Sequence, residues 1–173
     1  MTRAFFLGGE PSTNPLTGDL VAIARALVET GVGHGALSAR HGLRATINAA
    51  AVPLEALRVE HFVEVADYDP HGDRLMVLGA HEPSPWAGLH ALLYRAKREI
   101  GAVVQVEMPS SALPSGLATV ARGRTTLEGA LGVLEALRTA TVVGFAGRHV
   151  VATGANPKEA HAAALGVLGG ASP

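Results

Sequence analysis

A chain of 173 residues, 48% hydrophobic and only 17% charged, is sized for one compact domain with a core of its own. Its formal net charge of −1 and the absence of any basic run exclude an electrostatic footprint for nucleic acid or for an anionic membrane surface. With no cysteine, disulfides and thiolate metal sites are excluded.

The N-terminal apolar run is too short for a signal peptide and no uninterrupted segment would span a bilayer, so the expected location is the cytoplasm. Aromatic residues make up 4%, which leaves Leu, Val and Ala to build the core. Enrichment in Ala and Gly, with Arg favoured over Lys, points to a GC-rich bacterial genome.

In chain order, residues 1–16 read as an irregular arm and 17–173 as a single domain. A helix is expected over Asp19–Thr30, with Leu20, Ile23, Ala24, Leu27 and Val28 as its apolar stripe, Asp19 as cap and Gly31 as stop. The Gly31-Val32-Gly33 that follows lacks the preceding strand a dinucleotide loop requires. Short strands are expected over 36–40 and 44–48 around His41-Gly42, then a helical turn over Pro53–Leu57. Strands 62–66 and 74–78 flank an aspartate-rich turn. It resembles a calcium loop for four positions and departs at His71 and Leu78, so it reads as a hairpin with solvated aspartates.

The segment Glu82–Pro109 organises the rest: Ser84 as cap, Pro85 as first helical residue, and Leu89, Leu92, Leu93 and Ala96 on one face with His90 and Arg95 off it. Ile100-Gly101 ends that helix and a buried strand begins at Ala102. Residues 109–122 are ambiguous, with room for one short helix. Thr125 and Glu128 form a capping box for a helix over 126–139 whose Leu127, Leu131, Leu134 and Leu137 are expected to face inward. Core strands over 142–146 and 149–153 precede a last helix, capped by Asn156 with Pro157 and Glu159, reaching about Leu168. The fold class is therefore α/β, layered, with helices on a largely antiparallel sheet.

The segment LHALLYRAKREIGAVVQVEMPS resembles the core signature of the class II aldolase, ribulose-phosphate 4-epimerase and adducin-head family: a His-x-x-x-Tyr helix, a Gly-Ala-Val-Val strand, then His-x-His-Ser-Pro. Further segments fall in the same order. Gly33–Arg40 resembles the family's Gly-Asn-(Ile/Leu)-Ser-x-Arg loop, Arg44–Ala51 the strand into its phosphate loop, and Arg148–Gly154 its His-Gly-(Val)n-Gly segment. The resemblance implies the family's fold over residues 17–168 and an oligomer, commonly a tetramer with sites between subunits. It also implies a divalent metal held by three histidines. At those positions this chain has Gln105, Glu107 and Arg148. Trp86 stands in place of the catalytic glutamate, Ala36 in place of the phosphate-binding asparagine, and Asn48-Ala49-Ala50-Ala51 in place of Thr-Pro-Ser-Gly.

A guanidinium cannot ligate and an amide ligates poorly, so neither the metal nor any other cofactor is expected. One reading of Glu107 and Arg148 is a structural ion pair. In the other, Glu107 is a general acid or base with Arg148 and Gln105 as oxyanion partners, and Trp86, Ser84, Asn48, His34 and His90 line a pocket for a small, rather apolar carbonyl compound. His149 beside Arg148 is expected to point to the opposite face of its strand. His90 also has an ordinary packing role open to it, and His61, His71, His81 and His161 read as surface residues. The expected partners are a small molecule and further copies of the chain. The non-enzymatic alternative is an oligomeric scaffold or partner-binding module.

Overall fold

The computed structural model describes residues 2–108, 113 and 115–169. Its strands are β1 (Arg3–Gly8), β2 (Gly35–His41), β3 (Arg44–Asn48), β4 (Phe62–Asp69), β5 (Arg74–Leu78), β6 (Ala102–Glu107), β7 (Thr119–Val120), β8 (Val142–Phe145) and β9 (His149–Gly154). They form one nine-stranded sheet in the order β1-β5-β4-β3-β2-β6-β9-β8-β7. The pairs β1/β5 and β7/β8 are parallel and the others antiparallel, so the sheet is mixed and mostly antiparallel.

Helices cover both faces. Strand β6 is buried on both sides, and its alternation decides which residues meet which layer. Ala102, Val104 and Val106 pack with α1 (Thr17–Glu29) and α4 (Pro157–Leu168). Val103 packs with α2 (Ala87–Ala96) and α3 (Thr126–Ala136) on the other face. Gln105 and Glu107 share the parity of Val103 and therefore belong to the α2 side.

The capping expectations for the last two helices hold to the atom. The Glu128 amide donates to Thr125 Oγ1 at 3.1 Å and the Arg124 amide to Glu128 Oε2 at 2.7 Å. The Glu159 amide donates to Asn156 Oδ1 at 3.0 Å, and the Ala155 amide to Glu159 Oε2 at 3.0 Å. Each pair satisfies two donors that a helix start leaves unpaired.

Several expectations differ. Residues 3–8, read as part of an irregular arm, add an edge strand beside β5. Helix α1 starts at Thr17 without a side-chain cap, and Asp19 lies inside its first turn. Helix α2 ends at Ala96, not at Ile100. Of the four leucines expected to face inward on α3, Leu137 is buried and Leu127 and Leu134 pack partly against the core beside Gly129, Ala130 and Val133, while Leu131 is 57% exposed. The reason is close approach: a Cβ on Gly129 would meet the Arg122 carbonyl at 2.5 Å and the Phe145 ring at 3.2 Å, so only small residues fit the contact. The aspartates of the β4–β5 turn are not simply solvated. Asp73 Oδ1 accepts hydroxyls from Thr2 and Tyr68, both at 2.7 Å, and from Thr126 at 3.4 Å. The ambiguous stretch 109–122 lies partly outside the described residues; within it Thr119–Val120 is a strand, not a helix.

Candidate functional site

The C-terminal end of β6 brings Gln105 and Glu107 to the α2 side of the sheet, where His90 meets Gln105 and Arg148 meets Glu107. His90, expected off the apolar face of α2, is only 1% exposed. Its Nε2 lies 3.1 Å from Gln105 Oε1 and its Nδ1 2.8 Å from Ser38 Oγ, which is itself 2.7 Å from Tyr94 Oη. A hydrogen-bond chain from Tyr94 through Ser38 and His90 to Gln105, run in either direction, uses one ring nitrogen as donor and the other as acceptor and so requires a neutral imidazole. Burial enforces that neutrality by pushing the His90 pKa down to about 4. Burial likewise pushes the Tyr94 phenol up. Gln105 is fully buried and its Nε2 has no partner. Whichever way the amide is turned, only one end can meet His90.

Glu107 forms an ion pair with Arg148. Arg148 precedes β9, on the turn made by Ala146 and Gly147 at φ 53° and 74°. The next residue, His149, is the direct cross-strand partner of Glu107, so the two side chains share a face. Its ring meets Trp86 edge-on at 4.6 Å, which corrects the expectation that it points away. Counting from Arg148 as if it lay within the strand gave the wrong parity; the turn resets it. Burial, and the nearby Arg148 and Arg122 charges, hold His149 down at about 4, so it too is neutral at pH 7.

Trp86 occupies the space before the strand ends. Beyond His149 it meets Phe145 at 5.6 Å, and the Arg122 guanidinium lies 5.4 Å from its ring centroid. The other expected residues are placed differently. Asn48 is 1% exposed and its amide is taken up by backbone: Oδ1 accepts from the Leu37 N–H at 2.7 Å, and Nδ2 donates to the Gly35 and Ala49 carbonyls. Ser84 Oγ accepts from the Trp86 amide at 3.3 Å at the entry to α2. His34 is exposed, and its carbonyl accepts from the Glu107 amide at 3.0 Å. Of the remaining histidines, His71 is exposed as expected, while His61, His81 and His161 are half-buried rather than surface residues.

A cavity of about 810 Å³ lies beside this cluster. Trp86, Ser84, Leu75, Leu89 and Phe145 supply wall residues, and Arg122, Arg124 and Thr126 line it too. Gln105, Glu107 and Arg148 do not line it. The arginines were missed in sequence because Arg122-Gly123-Arg124 sits in a stretch without periodicity. The available signal was two cations around a glycine with no acid beside them.

A sequence profile of the class II aldolase and adducin N-terminal domain matches residues 18–165. The chain belongs to that family. An L-fuculose 1-phosphate aldolase is similar in structure at 17% identity, with a TM-score of 0.76 over 93% of this chain and 85% of that one. The L-fuculose-1-phosphate aldolase of Thermus thermophilus gives 17% identity and 0.69 over 92% and 93%. YgbL from Escherichia coli, a putative aldolase/epimerase/decarboxylase, gives 19% and 0.71 over 90% and 86%. At these identities the likeness is one of fold. A comparison with curated protein sequences finds no match.

The residues at the family's metal positions do not fit a divalent ion. Gln105 offers one amide oxygen already bonded to His90, Glu107 is paired to a guanidinium, and Arg148 brings a positive charge. Among the described residues no group of three His, Asp or Glu side chains is placed to hold a metal.

Proposed function

We propose that this chain binds, and acts on, a small, rather apolar carbonyl compound without the family's metal, as a homo-oligomer in bacterial specialised metabolism. One observation carries the reading: a cavity of about 810 Å³ with Trp86 on its wall, the residue that the sequence resemblance sets in place of the family's catalytic acid. That volume lies within the range of small-molecule sites, about 300–1,000 Å³. An indole, a phenyl ring and leucines on the wall favour an apolar body over a sugar phosphate.

The binding half is the half that geometry supports best. Aldol, retro-aldol, dehydration or cyclisation chemistry would fall to Glu107 as acid or base, with Arg148 and Gln105 as oxyanion partners. None of the three lines the cavity, although the Trp86 ring on its wall touches His149, the strand neighbour of Glu107. Trp86 is the only tryptophan, so its indole N–H resonance reports on this place alone. Titration with 4-phenyl-2-butanone should move that resonance saturably, with or without a chelator. An unmoved resonance at millimolar ketone would overturn the reading. Turnover that survives Glu107→Gln and Arg148→Ala unchanged would remove those residues from it.

A second reading, the oligomeric scaffold, is favoured by the packing of Trp86 on His149 and Phe145, which stops up the approach to the β6 strand end. Absence of ligand binding together with a stable oligomer would select it.

A further inference from the structure

We propose that the cavity beside Trp86 is a site for an amphipathic monocarboxylate, its apolar body against Trp86, Leu75, Leu89 and Phe145 and its carboxylate held by Arg122 and Arg124. This rests on the cavity being a ligand site and adds the chemical class of the ligand and the residues that select it.

Both arginines line the cavity, and neither has an ion-pair partner among the described residues. The Arg122 guanidinium lies over the indole ring, 5.4 Å from its centroid, which sets its charge beside the apolar wall. The turn that presents them is built for its shape. Gly123 has φ +74°, and a Cβ there would stand 2.7 Å from the Gly129 amide nitrogen, so the turn is pressed onto the start of α3 and needs glycine. Two guanidiniums on so short and constrained a segment match a planar carboxylate, which accepts paired N–H donors.

Charge on the wall argues for one negative charge rather than two. Glu82 and Asp73 line the same cavity, so its acids and arginines balance. Asp73 already accepts three hydroxyls and belongs to the framework. A phosphomonoester dianion would bring a second negative charge to a wall whose acids already offset its arginines.

Matched probes separate this inference from the reading it rests on: 4-phenylbutanoate and 4-phenylbutanamide, titrated into the full chain and read by the Trp86 indole N–H resonance. The carboxylate should bind roughly tenfold tighter than the amide. That preference should shrink as salt rises, and vanish in Arg122→Gln/Arg124→Gln. Because both arginines are exposed, that variant should keep the parent melting temperature, and the salt series on the unaltered chain gives the same answer without it. Equal binding of both probes overturns the carboxylate assignment and leaves the cavity reading standing. A preference that persists in the double variant, or that ignores salt, overturns the role of the arginines. Failure of both probes to move Trp86 overturns both readings.

Discussion

Acid should loosen this protein well above the range in which its carboxylates titrate, and His90 sets the size of the effect. The imidazole is held neutral with a pKa of about 4, against the ordinary 6.5 it regains on unfolding. Below pH 6.5 the unfolded chain takes up a proton that the folded chain refuses until about pH 4. The neutral-site contribution is therefore fully present above pH 6.5 and is lost as pH falls through that window. The full shift corresponds to about 3 kcal/mol. Between pH 7 and pH 5 linkage gives about 2 kcal/mol from this one residue. For a domain of this size that is a fall in melting temperature of roughly 4–8 °C. His149 contributes with the same sign, so the measurement must isolate His90.

Urea unfolding of the parent chain and of His90→Asn at pH 7 and pH 5 does this. The variant should be less stable at pH 7, because Ser38 and Gln105 lose a partner, but its stability should fall by about 2 kcal/mol less on acidification. Parallel loss in the two proteins would refute the reasoning, as would a His90 ring resonance titrating near pH 6.5. Asp73 and Asp69, held below the ordinary carboxylate range, lose their contribution only below about pH 4 and stay outside the window.

Other outcomes follow from the same geometry. The Glu107–Arg148 pair is partly open to water, at 33% and 59% exposure, so a double-mutant cycle by chemical unfolding should give a coupling of about 0.2–1 kcal/mol. A bound zinc ion, at a free concentration about 100 times its dissociation constant, would raise stability by about 2.7 kcal/mol; thermal melts with and without zinc should instead coincide. Asn48→Ala should cost roughly 2–3 kcal/mol, since it strips a partner from the buried Leu37 N–H, and a cost within error of zero would contradict the backbone clamp. Gly101→Ala should destabilise by about 3 kcal/mol or more, because its Cβ would fall 2.0 Å from the Ala155 carbonyl oxygen.

The fold was legible because its signals are local or periodic. Capping boxes at Thr125 and Asn156, the glycine after α1 and the apolar run of β6 act over a few residues, and they place elements without knowledge of their neighbours. The family was legible for a different reason: the motif segments around Trp86, Gln105, Glu107 and Arg148 survive in the order the resemblance implies. What failed were statements that depend on a partner across space. On α3 only Leu131 was misplaced, because a close contact with Phe145 puts Gly129 on the inward face. His149 was misplaced because a turn, not a strand, precedes it.

The amino-acid sequence by itself determined the family and the order of helices and strands. These are properties of residue type and short spacing, which the chain carries before it folds. Only the tertiary structure decided that His90 is buried with Gln105, that Asn48 belongs to the backbone, and that the open cavity lies with Arg122 and Arg124 rather than with Glu107. Each depends on which strands become neighbours and on how closely their helices approach. Those distances are set by packing among residues tens of positions apart, and no local pattern encodes them.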